Sequence, residues 1–136
     1  MNDSSIFVGA RRECIESITE DSAFFIHIEY IDYISWVQNE EKYNLHFYFS
    51  GLEFVLIVDD NGLNKTIELV TNYGIKRLNR FYRYKNTIFM VDNIAQMNVF
   101  GDIIRIRFTT GNVYSENLSN KEAMNLFRIL YAIKTA

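Results

Sequence analysis

A chain of 136 residues that is 49% hydrophobic and 15% aromatic has the length of one domain and is too apolar for intrinsic disorder. One cysteine, Cys14, excludes an internal disulfide and a cysteine-built metal site, and fits a reducing, cytoplasmic compartment. The net charge of −3 is uneven: residues 1–74 hold 4 Lys/Arg against 13 Asp/Glu, and residues 75–112 hold 7 against 2, so an anionic partner is expected for the basic stretch.

Residues 1–22 read as an N-terminal extension. Their first stretch, MNDSSIFVGARREC, has acids and arginines where a secretion signal needs an apolar run. No apolar run approaches the roughly 20 residues that cross a bilayer, so no membrane partner is expected. A first unit is expected over 23–74. FIHIEYIDYISW (25–36) reads as a strand, and Leu45, Phe47 and Phe49 alternate with His46, Tyr48 and Ser50 as in a strand with one wet face. Ser50-Gly51-Leu52 supplies a turn, and Asp59-Asp60 stand where they would cap a helix over Leu63–Tyr73, with Ile67 and Val70 inward.

A second unit is expected over 81–133. IFMVDNIAQMNV (88–99) aligns with the first strand pattern, placing Ile28 on Val91, Glu29 on Asp92, Ile31 on Ile94 and Ile34 on Met97. Ile104, Ile106 and Phe108 alternate with Arg105, Arg107 and Thr109, and Gly111 falls on Gly51. A register change of three residues predicts a longer first loop, QNEEKYN, against FGD in the second unit. Ser119-Asn-Lys-Glu122 is a capping box, followed by Ala123, Leu126, Phe127 and Leu130 at helical spacing. The expected fold class is mostly β, a β-rich α+β domain of two repeated strand-hairpin-strand-helix units. The apolar phases predict a core of Ile28, Ile31, Phe47, Phe49, Ile94, Ile104, Ile106, Phe108, Leu126 and Leu130.

Residues able to carry catalysis are sparse. His27 and His46 lie in β-patterned runs without a second histidine or cysteine at ligand spacing, and no phosphate-cradling glycine loop or nucleophile motif occurs. No enzyme activity, cofactor or metal is expected. The local signal is instead Lys76-Arg-Leu-Asn-Arg-Phe-Tyr-Arg-Tyr-Lys85, which holds five cations and three aromatics. Cations neutralise phosphates and flat rings stack on bases, so the mixture suits a nucleic acid or a nucleotide-like anion. Drawn out as a strand, Arg83 and Lys85 share a face with Phe81, and Tyr82 and Tyr84 take the other. A linker with a solvated charged face and tyrosines anchored in the core is the other reading, and both stay open here. The candidate contact residues are Lys76, Arg77, Arg80, Arg83, Tyr84, Lys85 and Asn86, joined by Arg105 and Arg107 from a nearby strand.

FYRYKNTIFMVDNI (81–94) resembles the LytTR-type DNA-binding domain, whose signature runs roughly I-R-I-H-R-S-Y-I-V-N-L-D-x-I. In that register Tyr84 stands at the family's histidine, Lys85 at its basic position and Asn86 at its serine, and Ile88, Phe89, Val91, Asp92 and Ile94 follow its apolar and acidic pattern. Phe89-Met90 replaces its V-N, and Glu116-Asn117-Leu118 its late V-S-R. The resemblance covers about residues 25–130. It implies an elongated β fold that inserts loops into successive major grooves, in a regulator of transcription. Double-stranded DNA is therefore the leading partner, and a homodimer stays open. The alternative is a small interaction module of the phage or mobile-element type. That module would sequester a nucleotide-like ligand or inhibit a host protein, with an acidic protein or a nucleotide-like anion as its partner.

Overall fold

Two short apolar steps of three residues, Ile28 to Ile31 and Val91 to Ile94, mark where the chain changes layer. The computed structural model describes residues 6–9, 13–18, 20–77 and 79–136, with side chains from residue 13 onward. Strands β1 (Ile6–Gly9), β2 (Cys14–Ile18) and β3 (Ala23–His27) form a first antiparallel sheet in the order β1-β2-β3. A single 3-10 turn over Ile28–Tyr30 then carries the chain into β4 (Ile31–Asn39), β5 (Lys42–Phe49) and β6 (Leu52–Val58), followed by helix α1 (Asp60–Arg77). The hairpin β7 (Phe81–Tyr84) and β8 (Thr87–Met90) adds to β4, completing a central sheet in the order β6-β5-β4-β8-β7. A second 3-10 turn over Val91–Asn93 leads to β9 (Ile94–Phe100), β10 (Ile103–Phe108), β11 (Val113–Asn117) and helix α2 (Asn120–Lys134). These last strands form the third sheet, ordered β11-β10-β9. The fold is mostly β within an α+β class.

The two stretches expected as continuous strands are thus each broken by a 3-10 turn. Ile28 and Ile31, and Val91 and Ile94, are buried on either side of the breaks. In each case the first N–H of the turn donates to a carbonyl ahead of the preceding hairpin: Ile28 to Glu13 at 3.0 Å, and Val91 to Arg80 at 2.9 Å. The longer first loop is also not what forms. Glu40-Glu41 closes β4 on β5 in two residues, as Gly101-Asp102 closes β9 on β10, and the extra length goes into β4 and β5 themselves. Part of the expected N-terminal extension lies outside the described residues. Its described part includes β2, where Cys14 and Ile15 are buried.

The central sheet has a core on each face. Ile15 and Ile26 of the first sheet pack with Ile34, Trp36, Leu45, Phe47, Ile88 and Met90 of the central one and with Leu63, Val70 and Tyr73 of α1. On the other face Tyr33 and Phe89 pack with Ile104, Ile106, Phe108 and Tyr114 of the third sheet and with Ala123, Leu126 and Leu130 of α2. The unbroken run Ile88–Val91 reflects this: alternate residues enter opposite cores, as in any strand covered on both sides. Of the expected core, Phe49 is half-buried and the rest are buried. Gly74 is also fixed by packing, since a methyl there would overlap the Phe81 ring.

Both helix starts are capped from within the sequence. Asp59 Oδ1 accepts from the Gly62 N–H at 2.8 Å, and Ser119 Oγ accepts from the Glu122 N–H at 3.1 Å. A buried carboxylate joins the layers. Asp32 of β4 accepts from the Thr110 hydroxyl and from Asn112 Nδ2 at 3.0 Å, while Asn93 Nδ2 donates to the Ile31 carbonyl at 3.1 Å. Hydrogen bonds to a charged acceptor contribute about 1.5–3 kcal/mol. Asp32→Ala is therefore expected to cost about 2–3 kcal/mol in urea unfolding, with faster amide exchange in the turn 109–112. A change within about 0.5 kcal/mol would show that this contact is not holding the turn.

Candidate nucleic-acid interface

The basic stretch does not fold as one segment. Lys76 and Arg77 form the last turn of α1, Arg80 lies in a connection, Arg83 and Tyr84 are on β7, and Lys85-Asn86 make the β7–β8 turn. The stretch crosses three kinds of local structure, so its cations face different ways. Arg77 Nε donates to both Glu13 oxygens, at 2.9 and 2.7 Å, and Lys76 reaches the same carboxylate at 3.9 Å. The Arg77 bonds, opposed by partial burial, hold the Glu13 carboxyl below its usual range.

Arg80 is committed to the fold. Its guanidinium donates to Asp92 Oδ1 at 2.9 and 2.6 Å, its backbone N–H to Oδ2 at 2.9 Å, and its Nη1 to the Ile133 carbonyl at 2.5 Å. It thereby ties the second 3-10 turn to the carbonyl end of α2, where a cation is favoured. Burial pushes the Asp92 carboxyl up, but the Arg80 bonds outweigh it and the net shift is downward. A lowered carboxyl contributes stability above its unfolded value, near 3.9. That contribution is lost as pH falls through the folded value. Asp92→Asn is accordingly expected to be less stable than wild type at pH 7, with the gap closing toward pH 3. Equal gaps at both pH values in urea unfolding would contradict the assignment.

Lys85 does not share the Arg83 face. Its φ of +52° turns the chain out of extended geometry, and its ammonium lies 3.0 Å from Glu122 and 5.2 Å from the Tyr84 ring centre. The Tyr84 hydroxyl also donates to Glu122. These two contacts occupy the carboxylate that a full capping box would turn back on Ser119, and both lower its pKa. Arg83 stays exposed, with its guanidinium 5.0 Å over the Trp36 ring and its Nε donating to the Lys85 carbonyl at 3.1 Å. The Asn86 carbonyl accepts from the Trp36 N–H at 3.1 Å, and its side chain is exposed.

Arg105 and Arg107 stand apart from the rest: both are exposed on β10, and no acid among the described residues pairs with either. The register sets Arg105 between Asn98 and Ser115, and Arg107 between Gln96 and Val113, while Ile103 lies between Phe100 and Asn117. Register partners point to the same side of a sheet, so these nine residues form one outer face. It carries two arginines, four neutral polar side chains (Gln96, Asn98, Ser115 and Asn117), three apolar ones (Phe100, Ile103 and Val113) and no carboxylate. Sequence reading found the two arginines but not the amides and hydroxyl beside them, because those depend on strand register.

Beside this face runs an open groove of about 890 Å³, between the β7–β8 turn and the free edge of β11. Tyr84–Thr87 line one side and Val113–Glu116 the other, over Tyr33, Trp36 and Tyr48. Tyr33 stacks on Tyr48 at 4.1 Å, and its hydroxyl donates to the Val113 carbonyl at 3.4 Å. Burial pushes the Tyr33 and Tyr114 hydroxyls upward, aided by Tyr48 in one case and Glu116 in the other, and both protons are given within the fold, to the Val113 carbonyl and to Glu116. These aromatics were not singled out in sequence, since Tyr33, Tyr48 and Tyr114 read there as ordinary strand residues.

Among the described residues no cluster of histidine, cysteine or carboxylate side chains could hold a metal ion, and no helix is long and apolar enough to cross a membrane. No protein-family model matches the chain, and no curated protein matches it in sequence. Among solved structures it is similar to a LytTr DNA-binding domain from Bacillus cereus, with 14% identity and a TM-score of 0.53. That similarity covers 87% of this chain and 95% of the other. The chain therefore has the fold of that domain.

Proposed function

We propose that this domain binds double-stranded DNA, as a non-catalytic regulator-like module, through the outer face of the third sheet and the adjoining groove. The observation that carries the reading is the acid-free face bearing Arg105 and Arg107 on a fold of this type. Phosphates are met by arginines that no carboxylate already holds, and side-chain amides and hydroxyls add neutral donors. Asn86 extends the contact along the groove, while Arg83, paired in register with Ile88, lies on the other face of the central sheet. Lys85 joins only by leaving Glu122, and Lys76, Arg77 and Arg80 serve the fold. The acidic first half of the chain does not forbid this. Its strands and helix build the first sheet and most of the central one, while the arginine face is the outer side of the third. Charges beyond about 8–10 Å are largely screened at physiological salt.

An NMR titration of the labelled protein with a mixed-sequence duplex locates the contact. Amide shifts are expected at 84–86, 96–98, 103–107 and 113–117, with the first sheet unmoved. Shifts centred on β2, β3 or α1 would overturn the proposed face.

A further inference from the structure

Strand β6 is an edge of the central sheet, and no described strand pairs with its outer side. Its sequence LEFVLIV contains one charge, and Leu52, Phe54, Val55 and Ile57 are 60%, 37%, 43% and 46% exposed. Natural edges are usually blunted by lysines, prolines, bulges or short length. Here the register with β5 runs unbroken over seven pairs, and the one charge, Glu53, is drawn back onto its own sheet by His46 at 2.5 Å. On the opposite face Phe54 stacks on Phe24 at 4.2 Å.

Which backbone groups are free follows from the turn. Ser50 and Gly51 both have positive φ, +50° and +76°, which is the two-residue type I′ hairpin closing on the pair Phe49–Leu52. Closing pairs of such hairpins are hydrogen-bonded, and bonded and non-bonded pairs then alternate. Leu52, Phe54, Leu56 and Val58 therefore bond to β5, while Glu53, Val55 and Ile57 direct their N–H and C=O groups outward.

We infer that β6 pairs antiparallel with β6 of a second copy about a two-fold axis at Val55, joining two central sheets into one. The strand is self-complementary in that register. Val55 meets Val55 of the second copy as a hydrogen-bonded pair, Glu53 lies opposite Ile57, and Phe54 lies opposite Leu56. The two Glu53 carboxylates fall four residues apart along the strands, about 13 Å, beyond the Debye length of about 8 Å. A two-fold contact closes after one copy, which distinguishes it from open-ended strand stacking. One strand with its flanking apolar side chains is at the small end of stable interfaces, on the order of 1,200 Å² in total, so the dimer is expected to form at micromolar concentrations. The inference does not depend on DNA binding, and its failure leaves that reading as it stands.

Light scattering on a size-exclusion column, over a concentration series, tests it. The wild type is expected to reach twice its 16.1 kDa mass at tens of micromolar. Val55→Pro removes an outward N–H and leaves the bonds to β5 in place, so this variant is expected to stay monomeric with an unchanged circular dichroism spectrum. Val55→Lys sets two ammonium groups at the axis and is expected to do the same without the backbone change, which covers the case in which the proline variant fails to fold. A wild type that stays monomeric to millimolar concentration overturns the inference. So does a dimer that survives in the folded lysine variant, or growth past the dimer.

Discussion

Phe89→Ala is expected to lower the unfolding free energy by about 3–5 kcal/mol, at an unchanged urea dependence. Phe89 is fully buried on β8 and sits where the central sheet meets the third. Its ring meets Tyr114 edge-on at 4.8 Å and approaches Tyr33 at 6.0 Å, and Tyr33 in turn stacks on Phe108 at 5.3 Å. Removing it deletes apolar burial, leaves a cavity between two sheets that cannot collapse independently, and unpairs the aromatic contacts. The groove floor rests on the same rings, so DNA affinity is expected to fall with stability. A loss under about 1 kcal/mol would place the third sheet outside the cooperative unit.

How far the fold was legible depended on whether the signal was local. The alternation Ile104, Ile106, Phe108 against Arg105, Arg107 fixed β10 and its wet face, because the outer side of the third sheet meets solvent. The same reading of β5 went wrong at Tyr48, where the supposedly wet face is covered by Tyr33 and the second core. The run of apolar residues at 88–91 signals a strand covered on both sides. The three-residue apolar steps at Ile28 and Val91 were written in the sequence, but a short 3-10 turn between strands has too little pattern to separate from a strand.

The candidate site was legible only in part, for a related reason. The cluster Lys76–Lys85 is dense in cations, but whether a cation is free depends on acids distant in sequence. Glu13 meets Arg77 across 64 residues, and Asp92 meets Arg80 across 12. Glu122 looked like half of a capping box, and it binds Lys85 and Tyr84. Arg105 and Arg107, which carried less weight in the sequence, have no carboxylate partner among the described residues and stand together on one open face.

Replacing both arginines, Arg105→Ala with Arg107→Ala, is expected to reduce duplex affinity strongly while leaving the fold intact, since both side chains are exposed. Each phosphate neutralised by a cation releases counterions, so log affinity falls with log salt at a slope of about −0.9 per contact. Losing two contacts flattens that slope by about two units, and the effect is uniform across sequences because phosphates carry none. Removing Arg80 instead is expected to damage stability first, through Asp92 and the end of α2.

Fluorescence anisotropy of a labelled mixed-sequence duplex, titrated with wild type and the double variant across salt concentrations, tests the central claim most directly. The account predicts saturable wild-type binding at low salt that weakens steeply as salt rises, with the double variant weaker and flatter by about two units of slope. Absence of saturable binding at low salt, where electrostatic attraction is strongest, or identical slopes for the two proteins, would contradict it.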